Sequence, residues 1–118
     1  MITVRNRRTY SGPGYYIGRP SIFGNPFSMA DKNDLEERTE VIKQYRKHLG
    51  ILLRDNEIAR LLRDNKMAQD EIRRLVRLAQ KSDLNLVCWC APLACHGDVL
   101  KECIESLIST GTWEGFVL

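Results

Sequence analysis

Apolar and polar positions alternate over Ile2-Thr3-Val4-Arg5-Asn6, with β-branched residues among them, so the spacing predicts a short half-buried strand. Tyr15-Tyr16-Ile17, after the turn residues Ser11-Gly12-Pro13-Gly14, predicts a second short extended segment. Gly18, Pro20, Gly24 and Pro26 then break both helix and sheet, which makes Gly18 to Phe27 a defined loop. Helical spacing begins with Leu35, Val41, Ile42, Tyr45 and Leu49. Asp31 or Asn33 is the expected cap, Asp34, Glu36 and Glu37 suit the first turn, and Gly50 is expected to end or bend the helix before Ile51, Leu52 and Leu53. A second helical region is expected from about Glu57 to Gln80, carried by Ile58, Leu61 and Leu62 and then by Ile72, Leu75, Val76 and Ala79. Leu52-Leu53-Arg54-Asp55-Asn56 is echoed by Leu61-Leu62-Arg63-Asp64-Asn65, an accidental likeness too short for a repeat architecture.

Leu84 to Cys90 is a short apolar run between polar flanks, the pattern of a central strand covered on both faces. Beyond the Ala91-Pro92-Leu93-Ala94 turn, Val99, Leu100, Cys103, Ile104, Leu107 and Ile108 predict a helix from about His96 to Ser109. Ligands of open α/β sheets bind beyond the carboxyl ends of strands and beside helix N-termini, the place that Cys90 to Asp98 would occupy. The expected fold is a single α/β domain over residues 1–118, with a small, Rossmann-like, mostly parallel sheet flanked by helices.

The 118 residues suffice for one core, and 43% apolar with 28% charged residues is the balance of a soluble globular chain. No apolar run approaches the length of a membrane span, and the first residues lack the apolar stretch of a signal peptide, so the expected setting is cytoplasmic with no membrane partner. Cys88, Cys90, Cys95 and Cys103 lie in one stretch, where a disulfide would tie no distant segments together; free thiols or metal ligands fit better. The net charge is +3, but Arg5, Arg7, Arg8 and Arg19 precede the first acid at Asp31, which favours an anionic ligand there and gives weak support to nucleic acid.

Cys95 and His96 would open the last helix, where unpaired backbone N–H groups and the helix dipole favour a thiolate or a bound anion. Asp98 would serve as a proton acceptor or as a stabilising first-turn acid. Cys95, His96 and Asp98 are thus the candidate catalytic residues, with a quietly packed Cys95 and a capping His96 as the plain alternative. Tyr16, Gly18, Arg19, Gly24 and Asn25, together with Cys90, are the candidate ligand-binding residues: glycine lets backbone approach a ligand, Arg19 offers a planar charged fork, and Asn25 can read a polar edge. The plain alternative is a structural turn with Arg19 paired to an internal carboxylate. Cys88, Cys90, Cys95 and His96 also resemble a zinc set. Thiolates on one zinc stand roughly 3.8 Å apart, from bonds of about 2.3 Å, whereas two strand rises put Cys88 and Cys90 roughly 6.6 Å apart. No cofactor is therefore expected, zinc being the alternative; Cys88 is expected in the core and Trp89 in packing.

Tyr16-Ile17-Gly18-Arg19, Gly24-Asn25-Pro26-Phe27 and Cys88-Trp89-Cys90-Ala91-Pro92-Leu93-Ala94-Cys95-His96-Gly97-Asp98 together resemble the segments shared by domain of unknown function 4326, a family of bacteria and bacteriophages. The resemblance spans nearly the whole chain and implies that these residues form the site, but it carries no activity. The Cys-His pair opening a helix is also similar to domain of unknown function 488, which supports the same strand-turn-helix placement. The resulting expectation is a nucleotide, nucleoside or other phosphate-containing ligand, bound by a protein that is a hydrolase or transferase or a plain binder. The competing expectation is a non-enzymatic phage or bacterial adaptor, with or without zinc.

Overall fold

The computed structural model describes residues 1–54, 64–91 and 93–112. Strands β1 (Ile2–Asn6) and β2 (Tyr15–Tyr16) come first, helices α1 (Leu35–Leu53) and α2 (Asn65–Lys81) lie between β2 and β3 (Leu84–Cys88), and α3 (His96–Thr110) follows β3. The sheet order is β1-β3-β2, and both outer strands run parallel to β3. Ile2 stands opposite Leu84, Asn6 opposite Cys88 and Tyr16 opposite Val87. This is the expected α/β architecture with a parallel sheet. The three helices of the described residues contact one another, and α3 also packs on β1 and β3. The core they enclose includes Tyr45, Leu49, Leu53, Ile72, Leu75, Leu86, Leu100 and Ile104. Neighbouring residues of β3 on opposite faces, Leu86, Val87 and Cys88, are all buried, as befits a central strand.

Several boundaries differ from the sequence expectation. Asp34, rather than Asp31 or Asn33, caps α1: its Oδ1 accepts from the Glu36 and Glu37 N–H groups at 2.9 and 3.1 Å. Asp31 instead accepts from Asn33 N–H, and Glu37 holds the Ala30 and Asp31 amides. Leu35 is 72% exposed, because the first turn overhangs the core; the buried stripe runs Arg38, Val41, Tyr45, Leu49. Gly50 does not end α1, since Leu49, Leu52 and Leu53 keep burying the same side. The helix stops after Leu53, where Asn65 Nδ2 donates to the Leu52 and Arg54 carbonyls at 2.8 and 2.9 Å. Helix α2 starts at Asn65; Ile58, Leu61, Leu62, most of the Leu-Leu-Arg-Asp-Asn echo and Pro92 lie outside the described residues. Ile108 is 40% exposed at the end of α3, past the last turn that faces the sheet. The expected strand to Cys90 stops at Cys88, where the chain turns and Trp89 becomes 52% exposed instead of packing.

Candidate functional site

Beyond the carboxyl end of β3 lies a cavity of about 640 Å³. Its walls come from the 18–33 loop, the first turns of α1, the segment after β3 and the start of α3. Gly18, Arg19, Asn25, Cys90, Cys95 and His96 all line it, so the glycine- and proline-rich loop and the cysteine segment meet although some seventy residues separate them. Tyr16, Gly24 and Asp98 stand outside. Gly24 serves the turn itself, because a Cβ there would come within 3.1 Å of Arg19 backbone and 3.0 Å of the Ser21 carbonyl. Tyr16 props the loop, its hydroxyl donating to the Arg19 carbonyl at 3.1 Å.

Arg19 is tied to its own loop rather than to a carboxylate. Its Nε donates to the Asn25 carbonyl at 2.8 Å, and Nη2 reaches the Phe27 carbonyl and Ser28 Oγ, both at 3.4 Å. Asn25 Oδ1 accepts from Phe27 N–H at 2.9 Å, which closes the turn. The Arg19–Pro20 peptide is cis.

Cys95 is the N-cap of α3 and forms a capping box: its Sγ accepts from Gly97 N–H at 3.3 Å, while Asp98 Oδ2 accepts from Cys95 N–H at 3.0 Å. Asp98 therefore secures the helix start, and the amides expected to greet an anion are partly satisfied within the helix. Gly97 has no room for a side chain: a Cβ would lie 2.9 Å from both Ile17 and Val4 methyl carbons. His96 is 7% exposed; its Nε2–H donates to the Ile17 carbonyl at 2.7 Å and its ring meets Tyr45 edge-on at 5.0 Å. Burial, reinforced by the nearby Arg19 charge, lowers its pKa and keeps the ring neutral, against the opposing effects of Ile17 and Asp98.

The thiols form a cluster. Cys88 and Cys95 Sγ are 3.4 Å apart, Cys90 is within hydrogen-bonding reach of Cys95, and all four cysteines are free. Sharing its one S–H with these neighbours keeps Cys95 protonated and pushes its own pKa strongly up, the reverse of the thiolate that a helix N-terminus alone would favour. The same bonds draw Cys88 and Cys90 down to about 6. A charge on Cys88 would be sealed in the core at 1% exposure, whereas half-buried Cys90 faces the cavity beside Arg38 and Lys32. We assign the thiolate to Cys90.

Arg38 escaped the reading of motifs. It is 7% exposed, with Nη1 donating to the Ala94 carbonyl at 2.9 Å and Nη2 to the Lys32 carbonyl at 2.8 Å, and among the described residues no carboxylate pairs with it. A buried guanidinium needs a negative partner, and Cys90 supplies one. The signal was a charge placed on the apolar stripe of α1. The strand's early end also removes the extended geometry that separated Cys88 from Cys90. Even so, among the described residues no group of three or more His, Cys, Asp or Glu is placed to hold a metal, and His96 Nε2 is already bonded. No described helix is long and apolar enough to cross a membrane.

The family described as Domain of unknown function (DUF4326) matches residues 2–106. No curated protein and no solved structure matches the chain.

Proposed function

The chain belongs to the family described as domain of unknown function 4326, whose description names no activity, and from the cavity itself we propose that it binds a small anionic ligand of the nucleotide class. One observation carries this reading: Arg19, Lys32 and Arg38 line the cavity, and no carboxylate does among the described residues. Three cations in a recess, with the Cys90 thiolate the one negative group set against them among the described residues, favour a further negative group, and a volume of about 640 Å³ lies within the roughly 300–1,000 Å³ range of ligand pockets. The remaining wall suits the rest of a nucleotide, since Phe27, Trp89, Val41, Ile42 and Leu93 offer apolar and aromatic surface and Asn25 a polar edge. The four cysteines, confined to residues 88–103, agree with a cytoplasmic setting.

Calorimetric titration with a panel of mononucleotides and with inorganic phosphate tests the proposal. Arg19→Ala should weaken binding by about 1.5–3 kcal/mol, the usual worth of a charge-assisted hydrogen bond. Arg19→Lys should restore only part of it, because an ammonium cannot reproduce the planar fork. A protein that binds none of these anions, or an Arg19→Ala variant as tight as wild type, would exclude the shared-pocket reading.

Two further readings each rest on the thiols. Hydrolysis or transfer on the bound ligand would use Cys90 as nucleophile, because it is the cavity-facing thiolate; Cys95 and neutral His96 would position, and Asp98 would take no part. The adaptor reading, with or without zinc, draws on the 3.4 Å contact between the Cys88 and Cys95 sulfurs, although among the described residues no three such groups are placed to hold a metal. Elemental analysis of protein purified without chelator decides it: one zinc per chain, lost together with stability on chelation, would favour the stapled module.

A further inference from the structure

Next to the cavity, three N-terminal arginines are paired one to one with the exposed Trp89 and the half-buried Tyr16 and Tyr10. Arg8 lies over the Trp89 ring at 5.8 Å, Arg7 over Tyr16 at 5.6 Å and Arg5 over Tyr10 at 5.0 Å. The rings are themselves linked, since Trp89 Nε1–H donates to the Tyr16 hydroxyl at 3.1 Å. Trp89 belongs to the cavity wall, while Tyr16, Tyr10 and Arg7 line a second depression of about 370 Å³. The two recesses therefore share a boundary at the Trp89–Tyr16 contact. Arg5, Arg7 and Arg8 are exposed, no carboxylate lines either recess among the described residues, and the chain has no acid before Asp31.

We propose that this strip, from Trp89 through Tyr16 to Tyr10, is a docking surface for single-stranded nucleic acid, one nucleotide of which enters the cavity. The inference rests on the nucleotide reading of that cavity and extends it from a free ligand to a strand. Stacking a guanidinium on a ring fixes its plane and leaves its N–H edge for phosphate, while the ring edges and the exposed Trp89 face offer surface to bases. Charge alone would serve a duplex equally well, but bases inside a duplex cannot reach aromatic side chains. Alternation of exposed cations and aromatics along one path is the arrangement by which proteins track a single strand with little sequence preference.

Anisotropy titrations of fluorescein-labelled oligothymidylate and oligouridylate, with the matching duplex as control, test it. The single strands should bind more tightly than the mononucleotide and the duplex. The slope of log affinity against log salt should fall by about 0.7 for each of Arg7→Ala and Arg8→Ala. Both variants should bind the mononucleotide as wild type does, because neither residue lines the cavity. Trp89→Ala should weaken the single strand roughly 5- to 150-fold, the range of one lost base stack. If strands bind no better than the mononucleotide, if the duplex binds as well, or if Arg7→Ala and Arg8→Ala behave as wild type, the docking surface is overturned while the cavity reading stands. Strand binding that needs Arg7 and Arg8 without any binding of mononucleotide would support the strip and overturn the cavity reading beneath it.

Discussion

Cys90 lies two residues past the end of β3, and that small offset decides its chemistry. On the strand it would share the sealed environment of Cys88; in the turn it meets Arg38, Lys32 and the Cys95 thiol at the edge of a cavity. With its pKa drawn down by the Cys95 thiol and by Arg38 and Lys32 beside it, Cys90 holds more thiolate at pH 7 than an ordinary cysteine. Sequence pattern alone favours a thiolate at Cys95, at the start of a helix, and the geometry gives that place to Cys90. Iodoacetamide labelling mapped by mass spectrometry should find Cys90 modified first, with a rate that rises through about pH 6. Cys103, pushed up to about 12 by burial, should be slow. Arg38→Gln should move the Cys90 midpoint upward; an unmoved midpoint, or Cys95 labelled first, would refute the assignment.

At the scale of the element, α3 is secured by a sulfur and a carboxylate. Asp98→Ala opens the capping box and should lower stability by about 1 kcal/mol, a drop of several degrees in melting temperature for a domain of this size. Ligand affinity should be unchanged, because Asp98 stands outside the cavity. Loss of binding or turnover with an unaltered melting curve would return Asp98 to the chemistry. Strands β1 and β3 and helix α3 were legible in the sequence because each has an unbroken local pattern, although β3 stops two residues short of the end of its apolar run. The limits of α1 were not, since Asp31, Asn33 and Asp34 are all good caps, and Gly50 reads as a stop until Leu52 and Leu53 are seen to bury the same side. Most of the candidate site was legible through its unusual residue types, Gly18, Arg19, Asn25, Cys90, Cys95 and His96. Arg38 and Lys32 were not, because a solvated arginine and a buried one look alike until a partner such as Cys90 is in place.

For the whole molecule, His96 is the point where three parts of the chain meet. It opens α3, packs on Tyr45 of α1 and bonds the Ile17 carbonyl at the mouth of the loop. Its pKa is lowered by burial, so below about 6.5 the unfolded chain holds a proton that the folded one resists. Stability should therefore fall as pH falls through that range, with half-buried His48 contributing in the same direction. Thermal melts at successive pH values should show this slope, and His96→Gln should make it shallower; an unchanged slope would mean that His96 titrates freely. The strand order has an outcome in time as well as in space. β1 and β2 never pair with each other, and both wait for β3, which is made almost seventy residues after β2. On a ribosome the early strands emerge with unmatched backbone edges, and neither the sheet nor the cavity can exist until the Leu84–Cys88 segment slides between them. A nascent chain halted before that segment would hold every residue of the glycine and proline loop and still have no pocket for a ligand to enter.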